Sequence, residues 1–258
     1  MKIYARNHVL FSLLGASQAH YVFNRLVVNN TISAEFQYVR DVNYTATPPL
    51  WGKTFPLYDV WNPDLVCGRN ATKVLNADIQ TATILAGSEV GFMVSGPWYE
   101  GDPQQYIFHE GPGQAFLSKL PETLSVLKDY DGSGDWFKIA YAGPANDTTW
   151  SLYNTLGMNF TIPKATPSGK YLMRMEHILP HSRKGEAQFF VNCAHVEIVG
   201  GVDGSGAGAG VEPGPTIRFP NAYKIDEPGI WFHDGTTNMS PANISTYQQL
   251  APAVWTGQ

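Results

Sequence analysis

Two histidines define the chemistry open to this chain. His20 follows a stretch that reads as a secretory leader: Lys2 and Arg6 at a basic start, a short apolar run from Val9 to Ala16, and small residues at Ser17 and Ala19, the positions a signal peptidase reads. Cleavage after Ala19 would leave His20 with a free α-amino nitrogen beside its imidazole, close enough to chelate one metal ion. The amine titrates near pH ~8, so a metal displaces its proton at neutral pH. His109, in Phe108-His-Glu-Gly-Pro112, would add a second imidazole. One amine and two imidazoles in a T-shape suit copper in both common oxidation states. Zinc fits less well, since it favours four tetrahedral ligands. The bland alternative is a residue that merely follows the cut and a solvent-exposed loop histidine.

Positioning such a pair requires strands, and the patterning supplies them. Residues 21–28 read as a first strand. Residues 82–85 and 89–95 read as strand, turn, strand; 107–120 repeats the form around Gly111-Pro-Gly113, and 136–140 is another short strand. The best candidates are 170–179 (KYLMRMEHIL) and 187–199 (AQFFVNCAHVEIV). In the second, alternation puts Gln188, Phe190, Asn192 and Ala194 on one face and Phe189, Val191 and Cys193 on the other. Residues 29–70 lack periodicity and read as a long, functional loop region. The Gly-rich run 200–210 reads as a loop within one unit, and residues 219–224 and 228–232 resume strand-like patterning. Helix is confined to short turns.

Composition agrees. Gly 25, Pro 18, 13% aromatic and only 15% charged residues in 258 point to an all-β domain rich in turns. The expected organisation is a signal peptide over 1–19 and one domain over 20–258. The leader carries two bases and no acid, so its loss takes the formal charge of −5 further negative, which argues against nucleic acid. Its apolar segment is too short to span a bilayer, so no membrane association is expected after cleavage. In an oxidising compartment Cys67 and Cys193 are most simply one disulfide; zinc or thiol chemistry is disfavoured by the absence of Cys-x-x-Cys. Sequons at Asn29, Asn43, Asn70, Asn146, Asn159, Asn238 and Asn243 fit a glycosylated, extracellular surface.

A set of motifs in fixed order then carries a resemblance over the whole mature chain, from His20 to about Trp255. They are Ala19-His20, His109-Glu-Gly-Pro112, Asp131-Gly-Ser-Gly-Asp-Trp-Phe-Lys138, Tyr171-Leu-Met-Arg-Met-Glu-His177, Gln188-Phe-Phe-Val-Asn-Cys-Ala194 and Phe219-Pro-Asn-Ala-Tyr-Lys-Ile-Asp-Glu-Pro-Gly229. The chain resembles the fungal lytic polysaccharide monooxygenases of auxiliary activity family nine, once classed as glycoside hydrolase family sixty-one. The resemblance implies an immunoglobulin-like or fibronectin-like β-sandwich with long loops, holding one copper ion in a histidine brace formed by His20 and His109. It implies Gln188 and His181 as second-sphere groups, a Cys67–Cys193 disulfide, a monomer, a cellulose or other β-glucan substrate, and an external electron donor. Two departures stand out. The family's axial tyrosine is Phe190 here, which cannot ligate. The segment that usually presents a sugar-stacking tyrosine is shortened to Gly229-Ile-Trp-Phe-His-Asp234, offering Trp231, Phe232 or His233; Tyr21 is a further candidate for the substrate face.

Two functions compete on this reading. The first is copper-dependent oxidative cleavage of a β-glucan beside the glycosidic bond. The second, motivated by Phe190, is a secreted copper-binding or carbohydrate-binding protein of the same fold without turnover. A hydrolytic glycosidase would need a defined carboxylate pair, and none stands out. A serine hydrolase would need Gly-x-Ser-x-Gly, which is absent.

Overall fold

The computed structural model describes residues 20–42, 52–94, 106–201, 212–232 and 243–258. Among these residues ten strands are formed: β1 (Phe23–Val28), β2 (Thr31–Ile32), β3 (Ala82–Leu85), β4 (Glu89–Val94), β5 (Gly113–Lys119), β6 (Trp136–Ala142), β7 (Gly157–Thr161), β8 (Gly169–Leu179), β9 (Gln188–Val199) and β10 (Thr216–Ile217). They make a four-stranded sheet, β2-β1-β4-β7, and a six-stranded sheet, β10-β6-β5-β8-β9-β3. All named pairings are antiparallel except β3 on β9. Among the described residues helix is limited to single turns such as Pro63–Leu65 and Leu127–Asp129. The all-β sandwich expected from composition is the observed one.

Alternation along β8 and β9 explains why the large sheet is buried on both faces. Tyr171, Met173 and Met175 on β8 and Phe190, Ala194, Val196 and Ile198 on β9 face the four-stranded sheet, where they meet Phe23, Leu26, Phe92 and Phe160. The opposite parity, Leu172 and Ile178 with Phe189, Val191 and Cys193, packs under a loop layer that includes Leu65, Val66, Tyr130, Phe219 and Tyr223. Each face follows period two, as the sequence of residues 187–199 dictates.

Loops lying on a sheet must have their backbone polar groups satisfied. Two buried arginines do this here. Arg40 donates from Nε to His195 Nε2 at 2.9 Å and from its terminal nitrogens to the carbonyls of Ala71, Thr72, Leu127 and Tyr130. Arg174 donates to the Val66 and Leu65 carbonyls and to Glu176 Oε1 at 2.6 Å, with Phe219 stacked 3.7 Å from its guanidinium carbon. Gln114 and the Tyr223 hydroxyl both donate to Glu176 Oε2, at 2.7 Å each. The Cys67–Cys193 disulfide pins the same loop layer to β9 across 126 residues, as expected.

Three expectations change. Residues 107–112 are not a strand: only the second half of the expected hairpin forms, as β5. The reason lies at Gly111, where an added Cβ would sit 1.7 Å from the Ile178 carbonyl oxygen, so the chain is pressed against the end of β8. Residues 219–224 and 228–232 form bends and turns with one bridge at Trp231, and the short strand falls earlier, at β10. Strands β2 and β7 go beyond the expected set, although Met158 and Phe160 inward with Asn159 and Thr161 outward is the same period-two signal. Residues 1–19, most of the Gly run and the sequons at Asn43 and Asn238 lie outside the described residues. Among the described residues no helix is long and apolar enough to cross a membrane.

Candidate metal centre

His20 is placed by the three residues after it. The Phe23 N–H donates to Asn192 Oδ1 at 3.0 Å, which fixes the approach to β1 against the inner face of β9. Tyr21 stacks on Phe190 with ring centroids 4.3 Å apart, and its hydroxyl lies 2.7 Å from Nδ1 of His177. His177 is the cross-strand partner of both Phe190 and Gly113, so β5, β8 and β9 all contribute at this level. Tyr21 is therefore not on a substrate face: it is 1% exposed, inside the core. Its parity with Phe23, two residues on and fully buried, is the physical reason.

His109 is placed by backbone bonds around it. Ile107 N–H donates to the Thr155 carbonyl and Asn154 N–H to the Ile107 carbonyl, while Ile178 N–H donates to the Pro112 carbonyl. With Gly111 allowing close approach to β8, the segment delivers His109 beside His20. Their ring centroids are 5.5 Å apart and inclined by 45°. Phe190 lies 6.1 Å from His20 and 5.5 Å from His109, and Phe55 closes on His20 at 5.2 Å.

Burial keeps these rings neutral. It lowers the pKa of His20, and burial together with the neighbouring His20 lowers that of His109 to about 4. His177 is pushed down to about 3 by burial and by His109. Neutral imidazole is the form that binds a metal. His109 Nε2 and Gln188 Oε1 are buried without a hydrogen-bond partner among the described residues. Buried polar atoms of that kind call for an explanation, and a bound ion is one. No group of three or more His, Cys, Asp or Glu is arranged to hold a metal ion among the described residues, so a metal held here by two rings would draw a third ligand from elsewhere, such as a main-chain nitrogen. The donor set fits the copper expected from the two histidines.

The remaining candidates sit at the same end of the β8–β9 ladder. Gln188 pairs with Leu179, and His181 follows two residues later. His181 forms a bridge with Trp231, and its Nδ1 accepts from the Arg183 N–H at 3.0 Å. Trp231 is half-buried, donating from Nε1 to the Ser182 carbonyl with Lys184 over its ring. Phe232 is buried against Trp150 and Ile244, and His233 lies outside the described residues. Sequence reasoning placed Asn192 on the face of Gln188 and Phe190 but gave it no role, and it missed the Tyr21–His177 pair and Phe55. Of these, His177 had a signal: it shares parity with Met173 and Met175 on the inward face.

A family model for Auxiliary Activity family 9 (formerly GH61) matches residues 20–246, beginning at the histidine placed here. The chain belongs to auxiliary activity family 9. This is the family of lytic polysaccharide monooxygenases, oxidoreductases that cleave polysaccharides. Among its curated members, monooxygenase U of Thermothielavioides terrestris is 41% identical over the full length of both chains. Monooxygenase C of Emericella nidulans is 34% identical over 95% of this chain and 96% of its own. The family 9 structure of CvAA9A, 24% identical, superposes with a TM-score of 0.69 over 93% of this chain and 99% of its own, which bears on the fold alone.

Proposed function

We propose that this chain is a secreted, monomeric, copper-dependent monooxygenase that cleaves cellulose or a related β-glucan by hydrogen abstraction beside the glycosidic bond. The observation that carries the reading is the convergence of two neutral imidazoles 5.5 Å apart with an unpartnered, buried Nε2 on His109. In this reading residues 1–19 are a signal peptide, residues 20–258 are one domain, and cleavage frees the α-amino nitrogen of His20. When bound, copper supplies the electron transfer and the activation of dioxygen or peroxide, with electrons from an external donor.

This chain's own residues hold and enclose that chemistry. His20 ligates through its amine and ring, and His109 through its ring. Phe190 would border the ion held by the two histidines with a phenyl ring, which cannot ligate. Tyr21 supports Phe190 from beneath, and its hydroxyl shares a hydrogen bond with His177 Nδ1, so the phenol is held one layer behind the site. Gln188 keeps a buried Oε1 with no hydrogen-bond partner among the described residues, at the same end of the β8–β9 ladder as His181 and Trp231. Such outer partners orient ligands and reacting groups.

Phe190 favours a second reading, a copper-binding or carbohydrate-binding protein without turnover. Mass spectrometry of soluble products separates the two, using copper-loaded protein beginning at His20 on amorphous cellulose with and without ascorbate. Oxidised oligosaccharides that require the reductant establish the enzyme. Their absence there and on xylan and xyloglucan, with copper bound, establishes the binding protein. One extra residue before His20 weakens copper binding if the amine is a ligand; unchanged affinity removes the brace.

A further inference from the structure

The four-stranded sheet has an outer face that no element covers among the described residues. In register, Ile32 on β2, Val27 on β1, Gly91 on β4 and Asn159 on β7 form one row across all four strands. Beside it run Met93 and Gly157, also paired. The row bounds a shallow open depression of about 460 Å³, lined by Val27, Ile32, Met93 and Leu156 with Asn30 and Asn159 at its rim. Ile32 is 51% exposed and Leu156 38%. These side chains group apolar surface on one open face of the sheet, where a flat apolar ligand face could lie.

The patch carries its own attachment point. Asn159-Phe-Thr161 is a sequon laid along an edge strand, so that alternation exposes both Asn159 and Thr161 while Phe160 is buried. Asn159 folds inward across β4: its Oδ1 occupies the space a side chain on residue 91 would need, 2.1 Å from an ideal Cβ there. The other described sequons begin outside strands. Asn29 sits at the tip of the β1–β2 hairpin, Asn70 in a turn, and Asn146 and Asn243 accept hydrogen bonds from their own Thr148 and Ser245. Asn159 alone among them has an apolar sheet surface beneath it.

We propose that Asn159 carries an N-linked glycan whose first N-acetylglucosamine lies in this depression, its C–H face against Val27, Ile32 and Met93. The inference rests on the reading that the chain enters the secretory route. In the joining step the Asn159 amide nitrogen loses a proton and bonds to the anomeric carbon of the oligosaccharide, whose bond to a polyprenyl diphosphate breaks as the diphosphate leaves. The sugar covers the apolar row and also shields the outer edge of β7, an edge otherwise open to pairing with another chain.

The test is glycopeptide mass spectrometry of the full chain secreted from a fungal host, with thermal unfolding and binding of a hydrophobic dye. The expected result is a glycan at Asn159. Asn159→Gln and Thr161→Ala should each then lower the Tm by about 2–4 °C and raise dye binding, whereas trimming with an endoglycosidase that leaves one sugar should change neither. Asn159 found bare while Asn29 or Asn70 is modified overturns the site and leaves the secretory reading standing. Every sequon bare overturns both. A modified Asn159 whose loss alters neither Tm nor dye binding overturns the covering role.

Discussion

The two faces of the six-stranded sheet are buried by opposite means. The inner face meets another sheet through aliphatic and aromatic side chains, and its buried polar residues His177 and Asn192 stand toward the end where the histidines gather. The outer face carries Arg174, Glu176, Gln114, Lys138 and His195, all nearly inaccessible, beneath loops with little regular structure. A sheet can bury apolar surface against a second sheet without further provision, because each satisfies its own backbone. A loop cannot, so its carbonyls must be met by side chains rising from the strands. Regular packing therefore anchors the histidine pair, while a polar lattice anchors the loops.

The largest effect should come from cutting the lattice's covalent tie. Replacing Cys67 and Cys193 with alanine should cost about 4–5 kcal/mol in urea unfolding, given the length of loop released. Neighbouring residues of opposite parity sharpen the contrast. Glu176→Ala, which strands a buried guanidinium, should cost about 3–5 kcal/mol, whereas Met175→Leu on the inner face should cost less than about 1.5 kcal/mol. Equal losses would mean the two faces are not held differently.

At the site end of the inner face, His109→Ala should weaken copper binding by more than about 100-fold, beyond the loss expected for an outer partner. The metal-free Tm should meanwhile stay within about 4 °C. Calorimetric titration and a thermal scan read both.

The smallest effect is a pH slope. Burial and the adjacent Arg40 and Lys128 push His195 down to about 3. An unfolded histidine titrates near 6.5, so between those values the unfolded chain binds the proton and the folded one does not. Stability is then complete above about pH 6.5 and declines as pH falls toward 3. His195→Gln should flatten part of that decline between pH 7 and 4, measured by urea midpoints.

Much of this is legible in the chain. Alternation in residues 187–199 marks both faces of β9, and two cysteines mark the tie between sheet and loops. His20 and His109 can be paired because their chemistry is specific even at long separation. The rest depends on register: His177 meets Phe190 and Tyr21 only once β8 and β9 are aligned, and no local pattern states that alignment. Tyr21 passes for a surface aromatic only while its parity with Phe23 is ignored. Residues 107–112 look like a strand because their composition suits one, while the crowding at Gly111 comes from a carbonyl 67 positions away in sequence.

Arg40 gathers four main-chain carbonyls from two loops, the arrangement by which many extracellular proteins use a calcium ion. Here the cation is covalently part of the chain. If the histidines hold copper as proposed, a chelator that strips it should thus leave the loop layer in place, and the protein should empty and reload without passing through an unfolded state.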